Sequence, residues 1–202
     1  MAQGPWPKAY FSKGTWIQRD MCSPEPWPFS DKQFDFGFCL GTLEDVRDPI
    51  RVCQEMVRVG KAGYIETPTR VLESMPGVER LRYVGHSHHR WLCEFSENEM
   101  FFLFKHAQLH AYPRLRVALC PWIGWLRKTH SWIEPFDFLD SLFHQINRWF
   151  RKPNPKYRAN RLLWRDGFAA REKLLIDKDE LEAELMEFRK RALTLKDLWV
   201  RR

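Results

Sequence analysis

Apolar positions along this chain switch between a strand-like and a helix-like period, and the switches mark its elements. Thr15-Trp16-Ile17-Gln18, closed by Asp20, predicts a short strand. Phe34 to Leu40 is an apolar run broken only by Asp35, which predicts a strand buried on both faces, as in a parallel sheet. Asp48-Pro49 then opens a helix: Asp48 can cap free backbone N–H groups, and Pro49 sits where a missing N–H costs nothing. Ile50, Cys53 and Val57 share one face of that helix and Gly60 stops it. Gly63-Tyr64-Ile65-Glu66 predicts the next strand, and strand–helix–strand in so short a span implies a parallel sheet. Further on, Ser96 and Glu99 fit a capping box, but the aromatic run Phe101-Phe102-Leu103-Phe104 favours a hairpin between Trp91–Phe95 and Met100–Phe104. Near the end, Asp177 and Glu180 cap a helix whose apolar stripe is Leu181, Leu185, Phe188 and Ala192. Arg189, Lys190 and Arg191 sit at its C-terminal end, as the helix dipole prefers.

Between these elements the first fourteen residues read as an irregular arm, and Ser23 to Ser30 as a proline loop. With 202 residues, 44% hydrophobic and 29% charged, the chain is globular rather than disordered. It shows neither an apolar signal core nor a membrane-spanning run, so a cytoplasmic location is expected. Cys22, Cys39, Cys53, Cys93 and Cys120 are odd in number, widely spaced and without a CxxC pair. They read as reduced core residues rather than as a disulfide framework or a zinc site.

Charge divides the chain. The net charge is +7, and the excess lies between Lys105 and Lys173. This suggests an α/β domain over 1–120 and a mainly helical, basic, Trp-rich extension over 121–202. Trp122, Trp125, Trp132, Trp149 and Trp164 lie among basic residues, and from Arg148 through Arg151, Lys152, Lys156, Arg158 and Arg161 to Arg165 no acid intervenes. Three readings fit: a solvated basic face over an aromatic core, an anionic membrane surface as partner, or a nucleic-acid contact. Pro135 to Phe143 has the amphipathic look of a segment lying peripherally on a membrane.

The densest polar cluster is Gly85-His86-Ser87-His88-His89-Arg90-Trp91. It reads as a polar loop anchoring the next strand, or as a substrate-facing loop with His88 or His89 as general base. A metal reading would take His86, His88 and Cys93, but such close spacing without a second ligand group is a weak zinc signal, so no metal is assigned. Glu66, at the end of its strand, could also face a substrate.

From Thr15 to Trp91 the order of segments, and above all Phe34-Asp35-Phe36-Gly37-Phe38-Cys39-Leu40-Gly41-Thr42-Leu43-Glu44-Asp45-Val46-Arg47-Asp48-Pro49, resembles the fourth-to-fifth-strand region of class I S-adenosylmethionine-dependent methyltransferases, especially those acting on small molecules and sugars. The resemblance implies a truncated Rossmann-like sheet. It further implies that Asp20 binds the adenine amino group, that Met21 packs on the ring, and that Cys39, Leu40, Gly41 and Thr42 line the methionine end of S-adenosylmethionine. Catalytic His88, His89 and Glu66 would then face a small-molecule or sugar acceptor. The family also seats its cofactor on a glycine-rich turn, where backbone must approach ligand closely, and on a ribose-binding acid. The ten glycines here form no GxG, so both elements are missing. The chain is therefore expected to be a fragment with little activity alone, binding cofactor when the missing half is supplied. The alternative is a non-catalytic binding module or a peripheral membrane protein using the basic region. Removing the first strands would also bare one edge of Phe34–Leu40, which should pair with Thr15–Gln18 or self-associate.

Overall fold

The computed structural model describes residues 14–76, 78–79, 83–117, 151–195 and 199–201. The opening arm to residue 13, Cys120, Trp122, Trp125, Trp132, Trp149 and the amphipathic stretch Pro135–Phe143 lie outside the described residues. In chain order the elements are β1 Gly37–Leu40, α1 Pro49–Val59, β2 Ala62–Pro68, α2 Arg70–Glu73, β3 Trp91–Ser96, β4 Glu99–Phe104 and α3 Gln108–Ala111. Then follow β5 Arg151–Pro153, β6 Ala159–Arg165, β7 Ala169–Glu172, α4 Lys178–Leu193 and β8 Trp199–Arg201. The fold is mixed α/β, as the strand–helix–strand pattern predicts.

The first sheet has the order β1-β2-β6. β1 and β2 run parallel, with Gly37 opposite Gly63 and Leu40 opposite Glu66, and α1 makes the crossover. Asp48 accepts from the Arg51 N–H and Pro49 occupies the first turn. Val52, Cys53, Met56 and Val59 are buried on α1; of the predicted stripe, Cys53 is among them and Ile50 packs against the same core. β6 then pairs antiparallel with β2, placing Trp164 opposite Gly63. A Cβ on Gly63 would meet the Trp164 ring and the Gly37 carbonyl at 2.7 Å, so the indole and both backbones fill that space.

The second sheet has the order β3-β4-β7. The hairpin expectation holds: Trp91 pairs with Phe104 and Phe95 with Met100. Strand alternation gives it two working faces. Trp91, Cys93, Met100 and Phe102 share a core with Ile65, Leu162 and Trp164 of the first sheet and Val52, Cys53 and Met56 of α1. Leu92 and Leu103 point the other way, into a core with Leu109, Leu115, Leu181 and Leu185. α4 lies there, capped by Asp177 and burying the predicted Leu181, Leu185, Phe188 and Ala192. A short β5–β8 pair completes the described strands.

Three expectations are corrected. Phe34–Leu40 is not buried on both faces. Cys39 faces the core, but Phe34, Phe36, Phe38 and Leu40 are exposed, Phe38 to 72%. On the same side Leu163 is 73% exposed, because no layer among the described residues covers that face. Thr15–Gln18 forms no strand, and Trp16 and Ile17 are exposed, since four residues without a neighbour gain too little to order as one. β1 therefore pairs with β2 alone among the described residues, none of which pairs with its outer edge. Finally, the described part of the expected helical extension is not mainly helical in its pairing: β6 and β7 each join a sheet begun before residue 120.

The proline loop is pinned to α1. Glu55 accepts from the Trp27 N–H at 2.6 Å, and Arg58, bonded to Glu55, also donates to the carbonyls of Trp27 and Phe29. The Arg58 hydrogen bond holds the Glu55 carboxyl below its ordinary 4.5, against the opposing effect of burial. A depressed carboxyl contributes stability above the unfolded value and loses it as pH falls through the folded one. Protection of the Trp27 amide, relative to its intrinsic exchange rate, should accordingly fall below pH 4.5. Glu55→Gln should exchange faster at neutral pH and lose that acid dependence, as read by hydrogen exchange.

Candidate functional site

The site forms where the loop after β1 meets the histidine segment before β3. Gly41 takes φ +56° to turn the chain out of β1, its N–H donating to Glu66 O. The loop that follows carries Glu44, buried, and Asp45, half-buried. The Glu44 carbonyl accepts from the N–H groups of Arg90 at 2.7 Å and Trp91 at 3.1 Å, and the Trp91 indole donates to Val46 O. These bonds fix the histidine segment against the β1 loop.

A second anchor comes from α2. Thr69 caps it through the Leu72 N–H and Glu73 ends it, 1% exposed. Glu73 Oε2 receives Lys105 Nζ at 2.7 Å, and Oε1 lies 2.6 Å from His86 Nδ1 and 3.1 Å from His89 Nδ1. Lys105 also donates to His86 O. Burial alone would raise the Glu73 carboxyl, but the His86, His89 and Lys105 contacts together hold it far below the carboxylate range. His86 is raised by its bond to Glu73, while burial lowers the Lys105 ammonium. Gly85 makes the close approach feasible. Its φ is +62° and a Cβ would sit 2.7 Å from the Glu73 backbone.

From this base His89 spans inward and outward. Its Nδ1 faces Glu73, and its Nε2 lies 4.0 Å from Asp45 Oδ1. His88, more than half exposed, brings its own Nε2 to 4.0 Å from Asp45 Oδ2. The two rings are 4.5 Å apart, and the His86 ring is 4.4 Å from that of His89. The cluster can accept or donate protons at an exposed imidazole whose neighbour is held by a buried carboxylate.

Other expected site residues fall elsewhere. Glu66 bonds Tyr64 and Arg161 on the sheet face that carries Phe38 and Leu40, and these bonds lower its carboxyl. Asp20 forms a turn with the Cys22 N–H and pairs with Arg47 at 2.7 Å, beside the entry to α1. Met21 is partly exposed next to it. Cys39 turns into the core, where burial pushes its thiol up to about 11, and the Thr42 hydroxyl bonds Leu40 O. Leu40 and Gly41 remain at the strand end. Cys93 is buried between the sheets, so the ligand set His86, His88 and Cys93 does not form. Cys22, Cys53 and Cys93 are free and buried, as expected of core thiols. Among the described residues no helix is long and apolar enough to cross a membrane. The periodicity did not point to Glu73, Asp45 or Lys105. Only Asp45 lay within a quoted motif.

Breaking the buried pair should cost more than removing it. Glu73→Gln leaves Lys105 unpaired and should destabilise by ~3–5 kcal/mol, while Glu73→Gln with Lys105→Met should recover much of the loss. Denaturant unfolding of the two single variants and the double variant measures the coupling.

No curated protein and no solved structure matches the chain. One family model does, described as a methyltransferase domain, over residues 7–65. That span runs through the proline loop, β1 and α1 into β2, the same stretch that carries the quoted motif. Residues 7–65 are thus similar to a methyltransferase domain, and within them β1, α1 and β2 form a parallel strand–helix–strand unit.

Proposed function

We propose that the chain is the acceptor-side part of an S-adenosylmethionine-dependent methyltransferase acting on a small-molecule or sugar hydroxyl or amine, with little activity until a cofactor-seating half is supplied. The observation that carries this is the meeting of Gly41, Asp45, His88 and His89 at the carboxyl end of β1, inside or against the matched span. Ligands of open α/β sheets sit beyond the carboxyl ends of strands.

The described residues fit the cofactor only in part. Gly41 leaves its turn open, a Cβ there meeting nothing closer than Glu44 Oε1 at 3.6 Å, and Leu40 is exposed beside it. Asp20 already has Arg47 and the Cys22 N–H on its two oxygens, and the sequence offers no glycine-rich turn. The cofactor supplies a methyl group on a sulfonium. On this side of the reaction the exposed His88 takes the acceptor's proton, and His89, gripped by Glu73, holds the loop in place. Transfer of this kind depends chiefly on positioning, which half a site supplies poorly.

Calorimetric titration of the chain with S-adenosylmethionine and its demethylated product should show no affinity in the low micromolar range. Affinity of that order would sink the fragment reading. In that event Asp20→Ala tests whether the adenine contact implied by the resemblance carries it.

The bare sheet face supports a further element of the same reading. An open strand edge beside an exposed apolar surface invites another chain. In isolation the protein should self-associate through β1, and Phe38→Glu should return it to a monomer by light scattering. A wild-type monomer at high concentration would contradict this.

A further inference from the structure

We infer that Asp45, His88 and His89 form a site for a single divalent transition-metal cation of the zinc class, with Glu73 orienting His89 from behind. Three ligand atoms, one from each residue, lie within 4.8 Å of one another. Each histidine offers Nε2 toward a different oxygen of the one carboxylate, at 4.0 Å. Zinc bonds of ~2.0–2.2 Å place a bound ion between groups so spaced after a small inward turn of the ligands. His88, 59% exposed at its side chain, is free to make that turn.

The surroundings favour a cation. Asp45 Oδ1 is buried without a hydrogen-bond partner among the described residues, and so is Glu44 Oε2. Both belong to the loop that faces the imidazoles. Glu44, Asp45 and Glu73 bring three carboxylates to the cluster, and Lys105 pairs directly with Glu73 alone. A divalent ion would offset the remainder. Metal-bound imidazoles commonly give their other ring nitrogen to a carboxylate, which fixes the tautomer. His89 is placed for it: Nδ1 lies 3.1 Å from Glu73 Oε1, buried and without a hydrogen-bond partner among the described residues, and Nε2 faces Asp45. A second grouping, Glu73 with His86 and His89, is tighter but sits against the Lys105 ammonium, whose charge opposes a divalent ion there. Two imidazoles and one carboxylate leave coordination positions open, the pattern of a site that meets a substrate.

The ion's chemistry deepens the acceptor-side reading, although its binding does not depend on it. With the cation bound, His88 and His89 serve as ligands, and lowering the acceptor hydroxyl's pKa passes from imidazole to metal, the proton leaving to water.

The test reads metal rather than methylation. The full chain, freed of metal, is titrated with zinc chloride by calorimetry and with cobalt(II) chloride by visible absorption. One equivalent should bind, with cobalt bands of a four- or five-coordinate site. Asp45→Asn and His88→Gln should each weaken binding about tenfold or more while leaving the metal-free unfolding midpoint near wild type. No saturable binding, or binding that survives both substitutions, overturns the site. Zinc binding together with low-micromolar affinity for S-adenosylmethionine would leave the metal site standing and overturn the fragment reading alone.

Discussion

Glu73 is the constraint on which the arrangement of this protein turns. A carboxylate taken out of water must be met by partner groups, and here they come from two places in the chain: His86 and His89 of the loop before β3, and Lys105 just after β4. Satisfying that one group brings the end of α2, the histidine segment and the end of the hairpin to a single point. It also explains the tight left-handed turn at Gly85, where the backbone must pass against Glu73 with no room for a side chain. The histidines are ordered as a by-product of burying a charge.

A second buried charge performs the same service on the other side of the hairpin. Arg70, 2% exposed, gives one guanidinium nitrogen to Glu94 of β3 and Glu184 of α4 and stacks on Phe188 at 4.1 Å. α2 thus carries a buried cation at its first residue and a buried anion at its last. Between them they tie α2, which follows directly on β2, to the hairpin, the histidine segment and the long helix. Such pairs add little net stability but penalise any packing that leaves one partner alone.

Local periodicity made α1, α4 and the β3–β4 hairpin legible, because each is decided within about a dozen residues: a capping aspartate, an apolar stripe, two runs around a turn. The β1–β2 pair followed from the short crossover. What stayed hidden was decided at a distance. β6 reads as basic surface because Arg161, Leu163 and Arg165 point outward, and only Leu162 and Trp164 record its inner face. The bareness of Phe36 and Phe38 cannot be seen in an apolar run, since it depends on which layer is present to cover them. The candidate site was half visible. His88 and His89 stand together in the sequence, but Glu73 and Asp45 reach them through the fold.

The pairing of β2 with β6 has a consequence for how the molecule comes into being. Pro68 meets Ala159 and Ala62 meets Arg165, so the antiparallel edge of the first sheet closes across roughly a hundred residues of chain. Trp164, which fills the space over Gly63, arrives only with that strand. During synthesis β1, α1 and β2 must wait, with Ile65 and their shared core face uncovered, until β6 has left the ribosome. High contact order of this kind slows folding and lengthens the interval in which apolar strands stand open. The strand–helix–strand unit is therefore open to mispairing until Trp164 arrives to close it.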